Sequence, residues 1–193
     1  MTKSISRSLA AVLAIACAFA SCDRSRPANA KGQWAPTTVG GLTLSSPGRL
    51  LAITTEVPAA MDPAVRQAVQ RIDSYGRTQG EAEIRVSRVI YTPTASLSLQ
   101  GSAQGAVDAV RGNPAVTGFQ HTHAAAETSG QPAIRTSMRM AVQNRPALGE
   151  MLTVLRGQTL WQVQVLGPAG AATDSLARRV LDSVQLQPDP AQD

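Results

Sequence analysis

The chain has 193 residues and a formal net charge of +5, from 18 Lys plus Arg against 13 Asp plus Glu. Hydrophobic residues make up 43% and charged residues 16%, a balance that permits a packed core and excludes the disordered class of low hydropathy and high charge. Aromatic residues are only 3%, which removes the rings that a single-stranded nucleic-acid platform or a sugar site would stack on.

Residues 1–21 read as a signal peptide. Lys3 and Arg7 precede an apolar run from Leu9 to Ala20, about a dozen residues, short of the roughly 20 that a membrane-spanning helix needs. The run ends in Phe19-Ala20-Ser21-Cys22, which resembles the bacterial lipobox, with Phe19 where Leu is usual. Cys22 is therefore the expected lipidation site and new N-terminus. Two alternatives stay open: cleavage after Ala28 or Ala30 in the small-x-small string Ala28-Asn29-Ala30, and use of Cys17, which would leave a very short apolar core. Both thiols lie in this leader region, so the body holds no disulfide. Each buried methylene of an acyl chain contributes about 0.8 kcal/mol, and two or more chains anchor stably where one does not. Asp23 after the cysteine resembles the residue that retains many lipoproteins in the inner membrane, which places the domain on the periplasmic face.

Without the leader the tally is 16 basic against 13 acidic residues, scattered and without a basic run. No nucleic-acid surface is implied. Residues 22–33 are polar and aperiodic and read as a flexible tether, residues 34–186 as one domain, and residues 187–193, with Pro188 and Pro190, as a disordered tail.

Within the domain, Leu42–Leu44 and Leu50–Thr55 read as two short strands around a Ser45-Ser46-Pro47-Gly48 turn. A helix follows, capped by Asp62, opened by Pro63 and carrying Val65, Ala68, Val69, Ile72 and Tyr75 on one face. Glu83–Tyr91 reads as a strand and Ser102–Val110 as a short helix closed by Gly112. Four strands come next, over Thr117–Ala126, Ala133–Val142, Glu150–Arg156 and Thr159–Leu166. The links Ser129-Gly130-Gln131-Pro132, Asn144-Arg145-Pro146 and Arg156-Gly157-Gln158 suit antiparallel hairpins. Ile134, Thr136, Met138, Met140 and Val142 share a core face, and Arg135, Ser137, Arg139 and Ala141 the other. A final helix is capped by Thr173, with Asp174 in its first turn and a stripe of Leu176, Ala177, Val180, Leu181 and Val184. The order predicts an α+β domain, an antiparallel sheet covered by helices on both faces as an α/β/α sandwich.

Three strings carry a family resemblance: Gly41-Leu42-Thr43-Leu44-Ser45-Ser46-Pro47, the hairpin Arg156-Gly157-Gln158-Thr159-Leu160-Trp161-Gln162-Val163, and the ending Ala177-Arg178-Arg179-Val180-Leu181-Asp182-Ser183-Val184. Together they resemble the PsbP-like group, which includes the PsbP proteins of photosystem II, the Ran-binding Mog proteins and the bacterial DcrB-type lipoproteins. The resemblance implies a PsbP-like fold over nearly the whole domain, a binding or accessory role, no cofactor, and no shared catalytic residues to carry over.

His121 and His123 are the sharpest polar feature. Two apart on a strand, they face one side and could reach one metal ion, with Glu127 the nearest further ligand; two solvated histidines are the ordinary alternative. Body cysteines and a Gly-x-Ser-x-Gly elbow are both missing, so nucleophilic catalysis has no constellation. Glu81 and Glu83 sit at a strand start, where facing water explains them better than acid/base work. Gly167-Pro168-Ala169-Gly170 reads as a loop before a helix, with capping favoured over phosphate binding. Trp34 and Trp161 could mark a ligand surface, but in a chain this poor in aromatics both read better as core anchors, Trp161 above all, and Met138, Met140 and Met151 read as core filler. Arg135 and Arg139 could meet an anionic partner or lipid head groups, or simply face water. The expectation is a non-enzymatic, lipid-anchored envelope protein that binds another protein or aids an assembly. The alternative is a periplasmic small-molecule or metal-binding protein with a cleft near His121 and His123.

Overall fold

The computed structural model describes residues 34–55 and 63–188. The leader with Cys22 and Asp23, the tether, Asp62 and residues 189–193 lie outside the described residues. Along the chain come β1 (Ala35–Val39), β2 (Leu42–Ser46), β3 (Leu51–Ile53), α1 (Pro63–Ala68), β4 (Val69–Gln79), β5 (Ala82–Tyr91), α2 (Leu99–Arg111), β6 (Val116–Thr128), β7 (Gln131–Val142), β8 (Arg145–Arg156), β9 (Thr159–Pro168), α3 (Ala171–Leu181) and β10 (Gln185–Leu186).

The large sheet has seven strands in the order β3-β4-β5-β9-β8-β7-β6, every neighbour antiparallel. Its meander follows from turn chemistry. Ser129 and Gly130 join β6 to β7 with φ of 50° and 73°, and Gln143 and Asn144 join β7 to β8 with φ of 50° and 63°. Two successive left-handed residues match the twist of the strands they connect. Asn144 thus lies in its turn as expected, whereas Arg145 and Pro146 already belong to β8.

Alternation along the strands produces two apolar faces. On one, Ile84, Val86, Leu152, Val154, Trp161, Val163 and Val165 meet Val39, Leu42 and Leu44 of the small sheet and Ala177, Val180 and Leu181 of α3. On the other, Ala106, Val107 and Val110 of α2 pack on Met138, Met140, Met151 and Leu166, and Val65 of α1 packs with Val89, Tyr91 and Leu160. Each of the Val, Leu, Ile and Met side chains among these stabilises the fold by about 1.5–3 kcal/mol on full burial. Helix α2 starts because the Ser98 hydroxyl accepts from the Gly101 N–H at 2.9 Å.

The helix-covered α/β/α sandwich is not what forms. Among the described residues strand accounts for 56% and helix for 20%, in two sheets of seven and three strands with three helices. Two local features underlie the difference. Val69, Ile72 and Tyr75 belong to β4, not to a helix running from Asp62. In an extended strand, residues three apart point to opposite faces, and here both faces are covered: Ile72 packs with the α1 cluster and Tyr75 with the α3 cluster. The i, i+3 spacing therefore mimicked a helical stripe, and α1 stops after six residues. Secondly, β2 and β3 do not pair with each other. β2 lies between β1 and β10 in a small sheet, while β3 pairs with β4, so the Ser46–Gly48 turn carries the chain from one sheet to the other. One face of the large sheet is thereby covered partly by strands instead of by helices alone.

Candidate functional site

A depression of about 780 Å³ opens at the end of the large sheet where β9 runs into α3. Trp34, Pro47, the β4–β5 turn at Gly80, Glu81 and Ala82, and the first turns of α3 with Leu176 and Arg179 form its walls. Gly167 lets these parts converge. A Cβ there would stand 2.8 Å from the Ala82 Cβ and 2.9 Å from the Thr173 Oγ1, so any side chain would push the β4–β5 hairpin away from the helix. The Thr173 hydroxyl donates to the Pro168 carbonyl at 2.7 Å, closing the loop. Thr173 is consequently not the cap expected from sequence. The N-cap is Gly170, which supplies no side-chain acceptor.

The Arg179 guanidinium lies 3.8 Å above the Trp34 ring. A cation held against an aromatic face at this distance fixes both groups as one amphipathic wall. Glu81, on the rim, receives a hydrogen bond from Arg145 at 3.2 Å. Aromatic face, guanidinium and small apolar side chains equip the depression for recognition. Trp34, expected in the core, instead lines the depression, and of the expected loop 167–170 Gly167 and Pro168 belong to β9, leaving Ala169 and Gly170 to link it to α3; the contribution of Gly80–Ala82 is not legible in the sequence, because only the antiparallel packing of β5 on β9 brings that turn to α3.

His121 and His123 do share one side of β6, with ring centroids 5.0 Å apart and planes at 72°. Both lie beneath α2. The His123 Nδ1 is 2.9 Å from the Thr136 hydroxyl and its Nε2 3.4 Å from the Gln104 Oε1. The Arg111 guanidinium stands 3.4 Å from the His121 Nδ1. Burial, and secondarily the charge of His121, hold the His123 pKa below its ordinary 6.5. Glu127 is exposed at the far end of β6, and among the described residues no three His, Cys, Asp or Glu side chains group to hold a metal ion. A cation at this pair would displace the contacts of His123 and approach the positive Arg111.

Glu83 pairs with Arg85 at 2.8 Å, and Glu81 with Arg145, so the two carboxylates serve separate ion pairs. Arg135 bridges Glu150 at 3.3 Å and Asp182 at 2.7 Å, while Arg139 is exposed. Trp161 is 3% exposed and belongs to the core, as do Met138, Met140 and Met151.

No protein-family model matches the chain, and no curated protein does. Among solved structures it is similar to PA94 of Pseudomonas aeruginosa, a protein of unknown function, at 11% identity and a TM-score of 0.38, over 71% of this chain and 84% of that one. It is also similar to LpqN of Mycobacterium tuberculosis, involved in cell envelope biogenesis, at 14% identity and a TM-score of 0.44, over 80% of this chain and 83% of that one. At such TM-scores neither likeness carries an argument about this chain. Among the described residues no helix is long and apolar enough to cross a membrane.

Proposed function

We propose that this chain is an exported envelope protein, anchored through acylated Cys22, whose domain is a non-enzymatic binding module that engages another protein at the Trp34 and Arg179 depression. The observation that carries the binding half is the guanidinium stacked at 3.8 Å on an indole at the mouth of a cleft of about 780 Å³. Tryptophan and arginine are the side chains most enriched where a few contacts dominate binding between proteins, and a concave, partly apolar wall gives them a pocket to act in.

The anchoring half rests on the charged start, short apolar run and lipobox-like end of the leader. Twelve residues, 22–33, precede Trp34. Fully extended they span at most about 40 Å, so an acyl group on Cys22 keeps the depression close to the bilayer, within reach of membrane-associated partners. Asp23 favours the inner membrane, periplasmic side. No nucleic acid and no cofactor enter this reading.

Photo-crosslinkable residues introduced in living cells at Ser175 or Leu176, beside the cleft, test the proposal against the same group at Gln100, exposed on α2 over the opposite face of the large sheet. One reproducible adduct from the cleft positions and none from Gln100 is the expected result. Equal adduct patterns at all three positions, or none at any, would refute it.

A further inference from the structure

The large sheet ends in two unlike edges. β3 is three residues long, whereas β6 is thirteen, with β7 on one side and no strand among the described residues on the other. Such an edge presents a row of backbone N–H and C=O groups that will accept a further strand unless proline, lysine, an inward charge or a bulge prevents it. β6 has a device of this kind at its first end only: a register shift between Thr117 and Gln120, with Gly118 at φ 59°. From Gln120 to Thr128 its register with β7 is unbroken, and those residues include no proline, lysine or arginine. Thr122, Ala124 and Ala125 are small and exposed, so a second backbone can approach closely.

This stretch complements itself. Rotation about a two-fold axis through Ala124 sets Ala124 opposite its own copy, His123 opposite Ala125, and His121 opposite Glu127. Odd-numbered residues here share the α2 face, since His121 registers with Met138 and His123 with Thr136. A two-fold axis perpendicular to the sheet keeps that face common to both copies. Each exposed Glu127 carboxylate then arrives beside the other copy's His121, where the Arg111 guanidinium of α2, which also pairs with Asp108 at 3.2 Å, already stands 3.4 Å from the imidazole. Negative meets positive twice, once on each side of the axis.

We propose that β6 pairs antiparallel with β6 of a second copy, joining two seven-stranded sheets into one continuous sheet. This contact is separate from the cleft beside Trp34, so either can fail without the other.

Sedimentation equilibrium on the purified full chain, in density-matched detergent, tests it with substitutions at the axis. The unmodified chain is expected at the mass of two copies. Ala124→Lys and Ala124→Glu, at an exposed position, each put like charges opposite one another and should weaken self-association by more than about tenfold. An equimolar mixture of the two variants should regain the two-copy mass. Under mild oxidation Ala124→Cys should crosslink to itself, and Ala126→Cys, which faces Thr122, should not. A single-copy mass for the unmodified chain would overturn the proposal and leave the edge to an extended peptide of another protein. A two-copy mass indifferent to both charges, or a mixture that stays at one copy, would overturn it as well.

Discussion

The indole N–H of Trp161 donates to the carbonyl of Gly40 at 3.2 Å, across 121 positions of sequence, and so fastens the β1–β2 turn of the small sheet to the centre of the large one. Gly40 can come this close because it has no side chain. At φ 52° its backbone is left-handed, and a Cβ would stand 2.1 Å from the Arg88 guanidinium. Trp161→Phe is expected to lower the unfolding free energy by about 1–3 kcal/mol, from the carbonyl left without its donor. Gly40→Ala should cost about 2 kcal/mol, chiefly from the left-handed backbone. Urea unfolding of the two variants checks both values, and wild-type midpoints would show that the sheets are held together elsewhere.

Gly167→Ala is expected to loosen the cleft as well as the fold. Its methyl group would meet Ala82 and Thr173 at under 3 Å, contacts that backbone and short side chains cannot yield cheaply. A loss of roughly 1–3 kcal/mol in chemical unfolding should accompany faster amide exchange in the first turn of α3. Unchanged exchange there would mean that the hairpin and helix shift together and the cleft survives.

Arg135 ties three elements together, from β7 to Glu150 on β8 and to Asp182 at the end of α3. Burial works against its charge, but the bonds to Asp182 and Glu150 outweigh that and hold its pKa above the ordinary arginine value. Arg135→Met should cost about 1 kcal/mol, a charged pair's usual contribution discounted for a side chain 32% exposed. A double-mutant cycle with Asp182→Asn should yield a coupling energy; a coupling of zero would make Arg135 a solvated charge after all.

His123 gives stability a pH dependence of known sign. Its folded-state pKa lies below the ordinary 6.5, so the unfolded chain binds its proton more readily. The contribution is fully present above that ordinary value and is lost as pH falls through the depressed one. Thermal unfolding at about pH 7.5 and about pH 5 should therefore show a fall in stability on acidification that His123→Gln reduces. An identical fall in the variant would place the proton uptake elsewhere.

The β6–β9 meander was legible because its turns announce themselves: Asn144, Gly130 and Gly157 supply left-handed backbone, and period-two alternation from Ile134 to Val142 sorts core from solvent. The small sheet was not legible. β10 is two residues long, and β1 holds only one buried side chain, Val39, so neither carries a periodic signal. β1 pairs with β2 through the tight Gly40-Gly41 turn, but the third strand of this sheet depends on α3 returning the chain to β2, a long-range fact that no local window contains. The same holds for the cleft. Trp34 stands out in a chain with two tryptophans, but its partner Arg179 lies on the polar side of the α3 stripe, where nothing in sequence distinguishes it from Arg178.

Intact mass spectrometry of the N-terminal peptide, on protein isolated from its native membrane, probes the anchored-module reading most directly. A first residue of Cys22 bearing a thioether-linked diacylglyceryl group is the predicted result. A Cys22 with a free thiol, or a mature chain that begins after Ala28 or Ala30, would contradict it.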